Sequence, residues 1–139
     1  MREDSDTAKG QLLRAEHLFY VTLKYTRTAD VIRNAIKRLI SALDYTVEDM
    51  LEAKKIKNMP PIPLMRVDLL KKAYPKDKKA LELIDFYYLL RRIDKSRFEV
   101  KEEFRKNVAL VADGETVNIE RLKEFLNKTK EFVEIYSKK

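Results

Sequence analysis

The 139-residue sequence predicts an all-α fold: an antiparallel bundle of four long helices plus one short helix, in a single domain spanning 1–139. Three observations support it. From Ala29 to Lys55 the apolar residues Val31, Ile32, Ala35, Ile36, Leu39, Ile40, Leu43, Val47, Met50 and Leu51 recur every three or four positions, the period of an amphipathic helix. That stripe is too wide for one neighbour, so several helices must cover it. Gly10 and Gly114 are the only glycines, which leaves little material for the tight turns of a multi-strand fold. Prolines at 60, 61, 63 and 75 cut the rest into helix-sized pieces.

A first helix is expected from about Ser5 to Tyr25, with Ala8, Leu12, Ala15, Phe19 and Leu23 on one stripe. The polar break Thr26–Thr28 suits a tight reversal into the helix from Ala29, with Asp30 as its capping acceptor. Lys57–Pro63 (KNMPPIP) is read as a stiff connector between helices in preference to a polyproline ligand. A short helix, about Leu64–Ala73, ends before Pro75, and another is expected over about Lys76–Lys95. Ser96–Thr116 reads two ways. Phe98, Lys101, Phe104 and Val108 fit a continued helix, whereas VALV-ADGE-TVNI reads as two short runs around an Asp113–Gly114 turn, a small hairpin over 108–119. The last helix carries Ile119, Leu122, Leu126, Thr129, Val133 and Tyr136, capped by Asn118.

Composition narrows the chemistry. A chain of this length buries about two-thirds of its unfolded surface without disulfides or structural metals. The absence of cysteine excludes thiolate chemistry and fits a reducing cytoplasm. No apolar run approaches the roughly 20 residues that span a bilayer, and Met1–Asp6 is acidic where a signal peptide would be basic. The expectation is a cytoplasmic protein with no membrane association. Charged residues are 38% of the chain and Gln11 is the one glutamine, a thermophile-like composition.

Few side chains suggest catalysis. His17 is the only histidine, and its helical neighbours Leu13, Arg14, Tyr20 and Val21 include no carboxylate to orient it. Asp44, Glu48 and Glu52 lie four apart on one helix face, but a di-iron site needs Glu-x-x-His pairs, so the face reads as solvated. No catalytic residue, cofactor or metal is expected. Charge is the stronger signal. The chain carries a net +7, and residues 66–106 hold most of it, with 13 basic and 8 acidic side chains. Lys71, Lys72, Lys76, Lys78, Lys79, Arg91, Arg92, Arg97 and Arg105 are the candidate phosphate contacts, with Tyr74, Tyr87 and Tyr88 as stacking platforms. Asp77, Glu82, Asp85 and Asp94 dilute that patch.

The stretches AIKRLISALDYTVEDMLEAKKI, MRVDLLKKAYP, FYYLLRR, FRKNVALV and VNIERLKEFLNKTKEFV follow one another between residues 35 and 133. In that order they resemble the HEPN domains (higher eukaryotes and prokaryotes nucleotide-binding), which have a long second helix, a short helix, a YYLLR-like helix and an Arg-Asn segment before the last helix. Many such domains are metal-independent ribonucleases with Arg-x4–6-His at a dimer interface. Here no arginine is followed by a histidine at that spacing; from Arg105 the positions are Leu110, Val111 and Ala112. The resemblance therefore implies a non-catalytic, self-associating interaction domain, paired with a nucleotidyltransferase-like protein. Phe98, Phe104 and Tyr88 are candidates for the apolar surface of a homo-oligomer. The alternative is an RNA- or nucleotide-binding module using the basic segment 66–106.

Overall fold

In the computed structural model, which describes residues 7–138, the organising element is the helix Ala29–Ala53. The Thr28 hydroxyl, rather than the expected Asp30, caps it by accepting the Val31 N–H at 3.2 Å. Ile32, Ile36, Leu39, Leu43 and Leu51 have no solvent exposure, as the width of the apolar stripe requires. This is helix α2. Before it, α1 consists of Ala8–His17, a π-helical turn at Leu18–Thr22 and Leu23–Tyr25. The expected start at Ser5, and the segment Met1–Asp6, lie outside the described residues. The three-residue link 26–28 folds α1 back along α2 as a helical hairpin. Helices α3 (Pro63–Ala73), α4 (Lys78–Lys95) and α5 (Ile119–Tyr136) pack on α2 as well.

Local chemistry sets these ends. Pro63 occupies the first turn of α3, where its missing N–H costs nothing. The Asp77 carboxylate accepts the Lys79 and Ala80 N–H groups to begin α4, and also receives the Tyr136 hydroxyl, which docks the end of α5. Asn118 caps α5 as expected, accepting the Arg121 N–H at 2.8 Å.

Helix accounts for 68% of the described residues, so the fold is mainly α rather than all-α. The correction lies in 96–118. Phe98–Lys101 (β1), Ala109–Ala112 (β2) and Glu115–Asn118 (β3) form an antiparallel sheet in the order β1-β2-β3. Strands β2 and β3 are the hairpin allowed over 108–119. Its two-residue turn uses Asp113 (φ 53°) and Gly114 (φ 75°), the paired positive angles of the tightest hairpin connection. Strand β1 replaces the expected helical continuation. Val100, Val108, Val111, Thr116 and Val117 are β-branched, and their fit to a pleated surface outweighs the helical spacing of Phe98, Phe104 and Val108. Leu110 and Ala112 of β2 are buried and join the core around α2.

Among the described residues, no helix is long and apolar enough to cross a membrane.

Candidate nucleic-acid interface

The basic residues singled out from the sequence are spread over α3, α4 and its flanks, and the β1–β2 loop. Along α4, Lys79 and Arg92 are separated by about 20 Å of helix. Several are already engaged. Lys79 pairs with Glu131 of α5 and with Glu82, and its bond to Glu131 holds the ammonium pKa above the ordinary lysine value. Arg92 lies 3.4 Å from Asp113 of the hairpin turn. Lys71 rests over the Tyr88 ring at 5.4 Å, and Arg91 over Tyr87 at 5.8 Å. Lys72, Lys76, Lys78 and Arg97 are exposed without ion pairs among the described residues. Arg105 belongs to a different part of the molecule, the β1–β2 loop.

The tyrosines proposed as stacking platforms serve the fold. Tyr87 is fully buried and donates to Asp44 at 2.6 Å; Tyr74 donates to the Met50 carbonyl at 2.8 Å; Tyr88 is half-buried and donates to Asp68 at 3.2 Å. The carboxylate face of α2 is solvated only in part: Glu52 is exposed, whereas Asp44 and Glu48 are half-buried and engaged. Burial pushes the Asp44 carboxyl above its ordinary range, against the opposing pull of the Tyr87 hydroxyl and the Arg91 and Arg66 charges. Burial and the Asp44 bond together push the Tyr87 hydroxyl upward. Glu48 pairs with Arg66 of α3, and Glu52 with Lys138. These contacts clamp α3, α4 and the tail onto α2. Of the residues proposed for self-association, Phe98 is half-buried beneath the Arg33 guanidinium, Tyr88 is half-buried, and Phe104 is 73% exposed.

A different basic surface forms where the sheet meets the α1–α2 turn. A cleft of about 680 Å³ is lined by Arg27 from the turn, Lys101 and Lys106 from the ends of the β1–β2 connection, and Lys123 from the second turn of α5. Glu102 and Glu120 also line it, as do the amides Asn107 and Asn118. Four cations thus face two carboxylates. Among the described residues, none of the four forms an ion pair.

The β1–β2 loop is held in place rather than loosely tethered. Phe104 donates its N–H to the Arg27 carbonyl at 2.6 Å. Glu103 accepts the Ala29 N–H at 3.2 Å, which places a carboxylate at the positive end of α2. Glu102 (φ 51°) and Phe104 (φ 65°) occupy the left-handed region, at a cost of about 1 kcal/mol or more each for residues other than glycine. The anchoring bonds offset that cost. They fix Arg105 and Lys106 beside Arg27 and leave the Phe104 ring facing solvent.

A second hollow of about 230 Å³ adjoins the cleft, sharing Arg27 and Ile119 with it. Phe19, Tyr20, Leu23 and Lys24, from the π-helical turn and the residues after it, complete its lining. Tyr20 is exposed, and Tyr25, two positions from Arg27, is 81% exposed. A π turn widens the helix by one residue per turn and re-aims the side chains that follow. Tyr20 therefore lines the hollow that shares Arg27 with the cleft, while Tyr25 is near Arg27 in sequence and Phe104 is tied to it through its backbone N–H; all three rings are open to solvent. Cations together with open rings are the combination that binds phosphates while stacking unpaired bases.

None of the nine sequence-predicted contacts lines this cleft, and Arg105 alone belongs to the loop that does. Arg27, Lys101, Lys106 and Lys123 are not among the nine: Arg27 stands alone in the sequence, Lys101 and Lys123 adjoin Glu102 and Glu124, and Lys106 follows Arg105 in a run that holds two glutamates. The run KEEFRKN at 101–107 held a signal: its Glu103 is consumed by the start of α2, which leaves the run more basic than it reads. Compared with known proteins, the chain matches no family model, no curated protein and no solved structure.

Proposed function

We propose that this chain is a non-catalytic binding module for single-stranded nucleic acid, RNA in the first instance. Its binding surface is the cleft of Arg27, Lys101, Lys106 and Lys123 rather than the segment 71–97. The observation that carries this reading is the convergence of four cations, without ion pairs among the described residues, from three separate parts of the chain. Phosphate affinity comes chiefly from counterion release, which needs cations not already neutralised. Tyr20, Tyr25 and Phe104 supply faces for unpaired bases, which favours single strands over duplexes. The test is fluorescence anisotropy of a labelled oligouridylate across a salt series. About four phosphate contacts give a slope of log affinity against log salt near −3, at roughly 0.7 per contact. A salt-independent affinity, or one unchanged by Lys101→Glu, Lys106→Glu and Lys123→Glu together, overturns the reading.

A second reading keeps the HEPN-like resemblance: an antiparallel bundle of four long helices and one short one, acting in the cytoplasm as a self-associating interaction domain with a nucleotidyltransferase-like partner. The observation in its favour is the exposure of Leu13, Tyr20 and Val21 on α1. Co-purification of such a partner, lost on Leu13→Lys and Val21→Lys, supports this reading. Retention of the partner by that variant counts against the α1 face.

A further inference from the structure

We propose that β1 is a docking edge for a second copy of this chain, the two strands pairing antiparallel about a two-fold axis through Val100. The two edges of the sheet differ. On the β3 side, Arg121 of α5 donates from Nη1 to the Thr116 carbonyl at 3.1 Å and pairs with Glu115, so that edge is occupied. On the β1 side, among the described residues, no hydrogen bond reaches Phe98–Lys101 apart from the ladder with β2. A strand bonded along one side leaves the N–H and C=O of alternate residues pointing outward. Glu99, Val100 and Lys101 are all exposed, Val100 at 45% although its ladder partner Leu110 is buried.

The strand's charges select both the partner and the register. Directly opposite residues in an antiparallel ladder share the same hydrogen-bonding state, so a two-fold axis must pass through a pair of identical residues. Centred on Val100, the pairing sets Glu99 of each copy against Lys101 of the other and brings the two Val100 side chains together. Centring on Glu99 or on Lys101 sets like charges face to face. Centring on Phe98 sets Arg97 against Glu99 but carries Val100 and Lys101 past the start of the strand to Ser96 and the end of α4, which leaves half the strand unpaired. One register is complementary and its neighbours are not, which is how a charged edge admits its own copy while rejecting other strands. Four paired residues bury well under the roughly 1,000 Å² of a stable interface, so the dimer is weak, with a micromolar or higher Kd.

Because Lys101 also lines the cleft, pairing with Glu99 of the second copy competes with its phosphate contact, and sedimentation analysis of the full chain without nucleic acid tests the dimer alone. The wild type should move from 16.5 kDa towards twice that mass with rising concentration. Glu99→Lys alone and Lys101→Glu alone should each remain monomeric, because each places like charges opposite one another. An equimolar mixture of the two single variants should restore the dimer, since the lysines of one then face the glutamates of the other. A wild type that stays monomeric at every concentration overturns the proposal. So do single variants that dimerise like the wild type, or a mixture that stays monomeric.

Discussion

The basic segment on α3 and α4 and the cleft beside the sheet contain the same residue types but use them differently. In the segment, charge is dense along the sequence and dispersed in space, and Lys79, Arg92, Lys71 and Arg91 hold helices, turns and rings together. In the cleft, charge is sparse along the sequence and converges in space, and among the described residues its cations form no ion pairs although Glu102 and Glu120 share the lining. Linear charge density measures what the chain has available. The capacity to bind an anion depends on what remains after the fold has used its share.

The sharpest test of this contrast is reciprocal charge reversal. Lys101→Glu, Lys106→Glu and Lys123→Glu together should weaken oligouridylate binding by about 100-fold or more, as three favourable phosphate contacts become repulsive. Reversal of Lys72, Lys76 and Lys78 should weaken it less than about 5-fold through the general field alone. Equal losses from both sets would erase the distinction. Next in size is the aromatic contribution: Phe104→Ala should cost about 1–3 kcal/mol of binding if a base stacks on its ring, with the salt slope unchanged. A changed slope would show that the loop had moved rather than lost a stacking face.

The segment's structural role predicts the opposite pattern. Tyr87→Phe should lower unfolding stability by about 1–3 kcal/mol, because the Asp44 carboxylate loses its buried donor. Nucleic-acid binding by the folded protein should not change. Asp44 also leaves a pH signature. Its carboxyl is raised in the folded state, so the folded protein holds that proton more tightly than the unfolded chain. The Asp44 contribution to stability is therefore greatest in acid and declines as pH rises from the ordinary aspartate range through the raised value. Asp44→Asn keeps an acceptor for Tyr87, and its stability relative to wild type should rise over that interval in urea titrations. A flat difference would show that Asp44 titrates normally. The smallest effect is expected from Lys76→Ala, within about 0.5 kcal/mol of wild-type stability.

Most of the helical frame was legible in the sequence. The α2 stripe, the proline stop before α3, the break at 26–28 and the Asn118 cap are local features, and local features survive into the fold. Strand β1 was not legible, because Phe98 and Phe104 fit helical spacing while the partner that makes 98–101 a strand lies in Ala109–Ala112. The cleft was hidden for a related reason. Glu103 reads as a diluting charge until Ala29, 74 positions away, is seen to take it up. Tyr87 and Tyr88 read equally as stacking faces or as core from sequence, and it is the burial of Tyr87 and the bonds to Asp44 and Asp68 that give them to the fold.

The anchoring of the β1–β2 loop on the α1–α2 turn also bears on the order of assembly. The α1–α2 hairpin closes across three linking residues and needs no distant sequence. The Glu103–Ala29 contact must close a loop of more than seventy residues, and the entropy lost in doing so is recovered only when the sheet docks. The cleft should therefore be among the last features to form and among the first to open. In native-state hydrogen exchange, the Phe104 amide should exchange well before the amides of Leu39 and Leu43 in mid-α2. Equal protection at these sites would mean that the loop and the core open as one unit. If the loop does open first, heat or mild denaturant should remove the anion-binding surface while the helices remain folded.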